Sequence, residues 1–322
     1  MFRALGAPLG EARALVELGY GEYISPDGDA DAAEQHLRSA LAIAERLGNP
    51  GFLAKVRIVL ANVVAYEGQP GEGAALLAAV GSMPVIRSDP QVQKSYLEMK
   101  GMINLLLDAE EAEAAFEESI ILARKMQDSI TEAMSEFRLG WVAMHTLRFE
   151  EARLHIDTAA RSMKARGLEG NAVEMHFYAA LCTLLNGDFE GFRAALTWLR
   201  DPTLARGCAS RYPHVHALQG IERLLDKDEA AVRQAFSTAL QAGRVQWAFH
   251  THLLYGVALH VMGGRQEGSE HLNRAQELAR AYRWDLPLAA LPELERRLID
   301  VLGRRVEFRG EDMGTGSVAP AH

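Results

Sequence analysis

The chain has 322 residues, 48% hydrophobic and 24% charged, with 43 acidic against 34 basic side chains and a formal net charge of −9. That composition describes a folded chain, and its negative balance argues against unaided binding to a phosphate backbone or an anionic membrane surface. Its two cysteines, Cys182 and Cys208, argue against a disulfide framework, and no apolar run approaches the roughly 18 residues that a membrane span requires. The N-terminus, MFRALGAPLGEARALVELG, lacks the apolar core of a signal peptide. The expected location is cytoplasmic.

The length is at or beyond what one compact core supports, so internal repeats are the first thing to look for. A rule recurs along the chain about every 40 residues: a small residue, a second one about twelve positions on, then a large apolar one four later. In chain order the copies are Gly21, Ala33, Leu37 and Ala40; Ala61, Gly73, Leu77 and Val80; then Gly101, Ala112, Phe116 and Ser119. Gly140, Ala152, Ile156 and Ala159 follow, and then Ala180, Phe192, Leu196 and Leu199. Gly220, Val232, Phe236 and Ala239 precede the last copy, Gly256, Gly268, Leu272 and Ala275.

The bends SPDGDAD, EGQPGEG, LDAEE, LRFEE, NGDFE, LDKDE and MGGRQEG each fall between the two halves of a copy. They are rich in residues that cap helices or turn the backbone. Asp108 with Glu111 has capping-box spacing, and Asp188 is placed to cap the helix carrying Phe192. Met134, Phe137, Trp141 and Met144 form a helical stripe, and no stretch shows sustained strand alternation. All-α is the expected class. Hairpins are expected near 8–48, 49–83, 89–126, 129–166, 170–200, 210–243 and 246–282, in one superhelical domain spanning 1–302. A capping helix at 286–302 would turn Leu291, Leu294, Leu298 and Val301 inward and Glu293, Arg296 and Arg297 outward. Residues 303–322 carry no apolar period and are expected to form a flexible tail.

These hairpins, FEEARLHIDTA above all, resemble the tetratricopeptide repeat over roughly residues 12–282. The common period of that family is 34 residues. The longer period here is similar to arrays in large bacterial transcription regulators and peptide-sensing regulators. The resemblance implies a right-handed α-solenoid of about seven hairpins closed by a C-terminal capping helix.

Catalytic signatures are absent: there is no GxSxG, HExxH, Walker-type GxxxxGK[ST] or GxGxxG. The Asp27, Asp29, Asp31 series lacks Gly at the sixth position (Ala32) and Glu at the twelfth (Arg38), so it reads as helix capping. His214 with His216, and His250 with His252, stand two residues apart and point to different sides of a helix. His176, His216 and His252 share one place in three copies. They read either as ordinary exposed or hydrogen-bonded positions or as a pH-sensing ladder. No enzyme activity, cofactor or metal is expected.

What the resemblance implies for a site is a concave face lined by first helices. Mapped onto this chain, that face includes Ile58, Asn62, Glu98, Met102, Phe137, Trp141, Phe177, Leu181, Leu253 and Val257, with Lys55, Met134, Glu174, His214 and His250 further toward the helix starts. Lys55, Asn62 and Arg138 are too few for a carboxylate clamp of the kind such arrays use. The expected groove therefore comprises Lys55, Asn62, Met134, Phe137, Arg138, Trp141, Phe177, Leu181, His214 and His250. Two readings of its aromatic residues stay open: packing between neighbouring first helices, or anchors for a partner. The functional expectation is a non-catalytic scaffold that binds a protein segment or peptide, such as an amphipathic helix. The alternative is the sensor or oligomerisation domain of a larger bacterial signalling or transcription regulator. Direct nucleic-acid or membrane binding is not expected, and homo-oligomerisation is left open.

Overall fold

The computed structural model describes residues 7–24, 29–199, 213–241 and 245–306. Among these the chain forms sixteen helices and no strand. The helices pair in sequence. α1 (Pro8–Ile24) pairs with α2 (Ala30–Leu47), and α3 (Pro50–Tyr66) with α4 (Pro70–Gly81). A short α5 (Val85–Ser88) follows, then α6 (Pro90–Leu107) with α7 (Ala109–Met126) and α8 (Ser129–His145) with α9 (Phe149–Lys164). Next come α10 (Glu169–Leu185) with α11 (Phe189–Leu199), and α12 (Pro213–Leu225) with α13 (Glu229–Gln241). The last pair is α14 (Val245–Val261) with α15 (Arg265–Ala281), and α16 (Asp285–Arg305) ends the described chain.

Helix starts follow local chemistry. Asp29 accepts from the Ala32 amide at 3.1 Å, Asn49 from Phe52 at 3.0 Å and Asp188 from Gly191 at 2.9 Å, each satisfying a donor the first turn leaves open. Pro50, Pro70 and Pro90 occupy first-turn positions, where a missing N–H costs nothing. Gly48 ends α2 in the left-handed region at φ 64°. At Asp108 only half of a capping box forms. Its carboxylate accepts from the Glu110 and Glu111 amides, while the Glu111 side chain turns outward to Lys100 at 2.7 Å.

The small residues mark where paired helices touch. A Cβ built on Gly140 would stand 2.5 Å from Ile156 Cγ1 and 2.9 Å from the Ala152 carbonyl oxygen. On Gly101 it would meet the Phe116 ring at 2.4 Å, on Gly220 the Phe236 ring at 2.6 Å, and on Gly256 the Gly268 carbonyl at 2.8 Å. Real Cβ atoms do not approach so closely, so these crossings exist only because the side chain is absent. The first copy departs from the expected register. A Cβ on Gly21 would meet nothing within 4 Å, whereas one on Gly19 would stand 2.8 Å from both the Ala33 carbonyl and Leu37 Cγ. The crossing of α1 and α2 therefore lies two residues nearer the N-terminus than the repeat register places it.

Packing is distributed, as nearest-neighbour stacking requires. The core falls into a large cluster from α8 to α16 and smaller ones among the N-terminal helices. Exposed ion pairs join successive helix pairs: Arg38 with Glu72 at 2.8 Å, Arg193 with Asp226 at 2.8 Å and Arg233 with Glu267 at 2.9 Å. Each contributes little by itself.

Asp128 contributes more. It caps α8 through the Thr131 amide at 3.1 Å and hydroxyl at 2.9 Å, and accepts from Lys94 of α6 at 2.6 Å. The Lys94 contact is the main reason its pKa is lowered to about 2. A depressed carboxylate stabilises the fold above its unfolded pKa near 4, and that contribution is lost as pH falls toward the folded value. Asp128→Ala is expected to lower unfolding stability by about 1–2 kcal/mol at neutral pH. In denaturant titrations, the gap from the parent should close near pH 2.

α16 buries Leu291, Leu294, Leu298 and Val301 and packs on α14 and α15, the terminating position expected of it. It also reaches α6, α8 and α10 across the inner face. Arg297, expected to point outward, instead donates from Nε to the Leu185 carbonyl at 2.8 Å, a favourable place for a cation at the C-terminus of α10. Trp284 packs into both the N-terminal cluster containing Ile58 and the large C-terminal cluster. Non-neighbouring hairpins are thereby tied together through the last helix.

Candidate functional site

On the inner face lies a cavity of about 270 Å³. Its walls come from α3 (Tyr66), α6 (Met102, Leu105, Leu106), α8 (Met134, Phe137, Arg138, Trp141), α10 (Glu174, Tyr178) and α14 (Phe249, His250), and it is covered by Trp284 and Pro287 at the start of α16. The α8 residues follow helical spacing, so they lie along one face. Glu174 and Tyr178 stand one turn apart on α10 for the same reason.

Of the expected groove residues, Met134, Phe137, Arg138, Trp141 and His250 come together here. Phe177 and Leu181 do not line it. They are buried in the core at 0% and 2% exposure, and their neighbour Tyr178 faces the cavity instead. Glu174 and Tyr178 occupy the same register on α10 as Met134 and Arg138 on α8, so α10 shows the cavity only one edge of that stripe. Lys55 is exposed and Asn62 half-buried, both away from the cavity. The side chain of His214 lies outside the described residues, as do those of Trp198 and Trp247.

Sequence reasoning missed Tyr66, Leu105, Leu106, Tyr178, Phe249, Trp284 and Pro287 as lining residues. Tyr66 and Leu106 lie five residues after their leading Ala61 and Gly101, and Tyr178 lies two before Ala180, offsets that also belong to a slightly wider inward stripe. Nothing in the sequence pairs Trp284 with α3 and α6, because that contact depends on how far the superhelix turns.

The rings interlock. Phe137 and Tyr178 have centroids 5.6 Å apart, Phe249 and Trp284 6.2 Å, and Tyr178 and His250 5.3 Å. The Trp141 indole hydrogen-bonds to the Tyr178 hydroxyl oxygen. Beneath Trp141 lies His145, 3% exposed, its ring 3.8 Å from the indole. His145 Nδ1 is 2.8 Å from the Trp141 carbonyl. A carbonyl only accepts, so Nδ1 carries the proton and Nε2 is a lone pair, without a hydrogen-bond partner. Burial pushes this imidazole down to about 4.

Charge in the wall is sparse. Arg138 lies 3.9 Å from Glu98 and 5.9 Å over the Phe116 ring. Burial raises the carboxyl of Glu174, and Arg138 partly offsets this. Burial raises Glu98 as well, against Arg138 and Lys94. Tyr66 donates to the Met102 carbonyl at 3.3 Å, and burial pushes its phenol up to about 12.

The repeated histidines differ in surroundings. His216 contacts Gln219 at 3.3 Å, while His252 and His271 share a proton between their Nδ1 atoms at 2.8 Å. His176 and His252 are both lowered to about 4, chiefly by burial. Among the described residues no group of His, Cys, Asp and Glu is arranged to hold a metal ion, and no helix is long and apolar enough to cross a membrane. Cys182 is buried, which pushes its thiol pKa up.

No protein-family model matches the chain, and no curated protein matches it. Among solved structures it is similar to a Rap protein complexed with competence and sporulation factor, with a TM-score of 0.69 and 12% identity over 84% of this chain and 75% of that one. It is also similar to NprR in complex with its cognate peptide NprX, at 0.59 and 12% over 92% and 84%. A third likeness is the signal-transduction ATPase with numerous domains PH0952 from Pyrococcus horikoshii, which has a tetratricopeptide repeat sensor. Its TM-score is 0.61 at 17% identity over 92% of this chain, and this chain spans 45% of that one. At these identities the likeness is one of fold: a tetratricopeptide-like helical solenoid.

Proposed function

We propose that this solenoid is a non-catalytic receptor whose inner face binds a peptide or protein segment. The observation that carries this reading is the aromatic cavity, assembled from the first helices of five hairpins and lined by Phe137, Trp141, Tyr178 and Phe249. Concave, mostly apolar sites with a few polar groups are where proteins hold ligands, and large aromatic side chains supply the anchoring energy. The likeness to NprR with its cognate peptide supports a peptide as occupant. The volume of about 270 Å³ suits one anchoring side chain rather than a whole peptide. An amphipathic helix already lies on this face, the chain's own α16, so a longer partner runs beside it or displaces it.

A second reading places the solenoid as the sensor of a larger regulator. The sensor-bearing ATPase, of which this chain spans 45%, favours it. Both readings use the same inner face and differ in what is attached.

The test is a selection of short random peptides against the full chain, followed by affinity measurement on the enriched sequences. Trp141→Ala is expected to weaken binding at least tenfold while unfolding stays cooperative. Equal affinity of variant and parent removes Trp141 from the site, and no enrichment over a scrambled-surface control overturns the receptor reading.

A further inference from the structure

A carboxylate placed in an aromatic wall calls for an explanation. Glu174 faces the cavity from α10 and, among the described residues, has no hydrogen-bond or ion-pair partner. A buried carboxyl without a partner costs stability, so its retention in an apolar wall needs a compensating role. Arg138 offsets part of that cost through space, but it is shared. Arg138 lies over the Phe116 ring and near Glu98. Lys94, which also acts on Glu98, is paired with Asp128 at 2.6 Å, so Glu98, Glu174 and Asp128 stand as three carboxylates against the two cations Lys94 and Arg138. Tyr66 and Tyr178 in the wall are phenols whose ionisation burial disfavours.

The same cavity is lined by the rings of Trp141, Tyr178, Phe249 and Trp284. Aromatic rings attract cations through their quadrupole, most strongly where water is excluded. An apolar cavity of about 150 Å³ holds a benzene, and the roughly 270 Å³ here admits a ring with a short aminoalkyl arm. The geometry points to a binding site for an ammonium group on an apolar body, with Glu174 as the counter-ion and the surrounding rings as the cage. This rests on the reading of the inner face as a receptor surface. It adds what that reading lacks, the chemistry of the occupant. The shared chemistry has two sources, a free hydrophobic amine or the N-terminal ammonium of a peptide with an apolar first residue.

Three isosteric probes test the charge preference: 2-phenylethylamine, 3-phenylpropionate and 2-phenylethanol, titrated into the full chain with calorimetry and tryptophan fluorescence. The amine is expected to bind at least tenfold more tightly than either of the others. Glu174→Gln should reduce its affinity at least tenfold with an unchanged or raised thermal midpoint. A short peptide beginning with phenylalanine, free or acetylated at its N-terminus, separates the sources: a tenfold preference for the free form assigns the ammonium to a peptide, and amine binding without it assigns a free amine. Equal or tighter binding of the carboxylate overturns the proposal, as does amine affinity unchanged in Glu174→Gln. The selectivity of the parent chain decides the matter even if the variant fails to fold. If selected peptides bind equally well when acetylated and the amine does not bind, the receptor reading stands and the ammonium site falls.

Discussion

Gly140→Leu is expected to cost on the order of 3 kcal/mol and to broaden or abolish the cooperative unfolding transition. The first added carbon alone would stand 2.5 Å from Ile156 and 2.9 Å from a backbone oxygen of α9. A backbone atom cannot rotate aside, so α8 and α9 must separate along their length. In a repeat array that damage weakens both neighbouring interfaces. The matched control is Gly21→Leu, where the added Cβ would meet nothing within 4 Å. It should be neutral or slightly stabilising, since glycine in a helix interior costs roughly 0.5–1 kcal/mol relative to alanine. Gly19→Leu should behave like Gly140→Leu. Thermal and denaturant unfolding of the three variants checks all of this, and equal loss in Gly21→Leu and Gly19→Leu would refute the crossing assigned to α1 and α2.

Acid is the second large perturbation. His145 is buried and neutral, with its pKa lowered from 6.5 to about 4. The unfolded chain takes up that proton more readily than the folded one. The stabilising contribution is therefore complete above pH 6.5 and is lost as pH falls through the window from 6.5 to about 4. At about 1.4 kcal/mol per unit, the loss approaches roughly 3 kcal/mol at the acid end. His176 and His252, also lowered to about 4, add to the slope in the same direction. Glu98 and Glu174, both raised by burial, oppose it as they take up protons. The difference between parent and His145→Phe isolates one residue: the parent's stability should fall more steeply between pH 6.5 and 4.5. Parallel curves would show that His145 is not held neutral by burial. Because its ring lies under Trp141, the same acidification should loosen the cavity wall, visible as a change in Trp141 emission.

How much of the fold was legible follows from these residues. The crossings at Gly101, Gly140, Gly220 and Gly256 could be read because helix contact is local. Two helices joined by a short bend must meet at a nearly constant distance from it, and a missing side chain is visible in the sequence. The first copy slipped by two residues: Gly19, and not Gly21, meets α2. Of the helical stripe Met134, Phe137, Trp141 and Met144, the first three line the cavity and Met144 is buried in the core, while Arg138 was named only through the resemblance. Phe177 and Leu181 were assigned by the offsets of Phe137 and Trp141 and are buried in the core, while Glu174 and Tyr178, at the offsets of Met134 and Arg138, face the cavity.

The amino-acid order alone therefore determined the class, the pairing of helices, the placement of caps and the apolar faces, all of which depend on interactions within about 40 residues of chain. Only the tertiary structure decided that α16 crosses the inner face, that Trp284 meets residues of α3 and α6, and that Tyr66 and His250 share one cavity. Those contacts depend on the accumulated twist of seven stacked pairs, in which small angular differences at each interface add up. No local pattern records that sum.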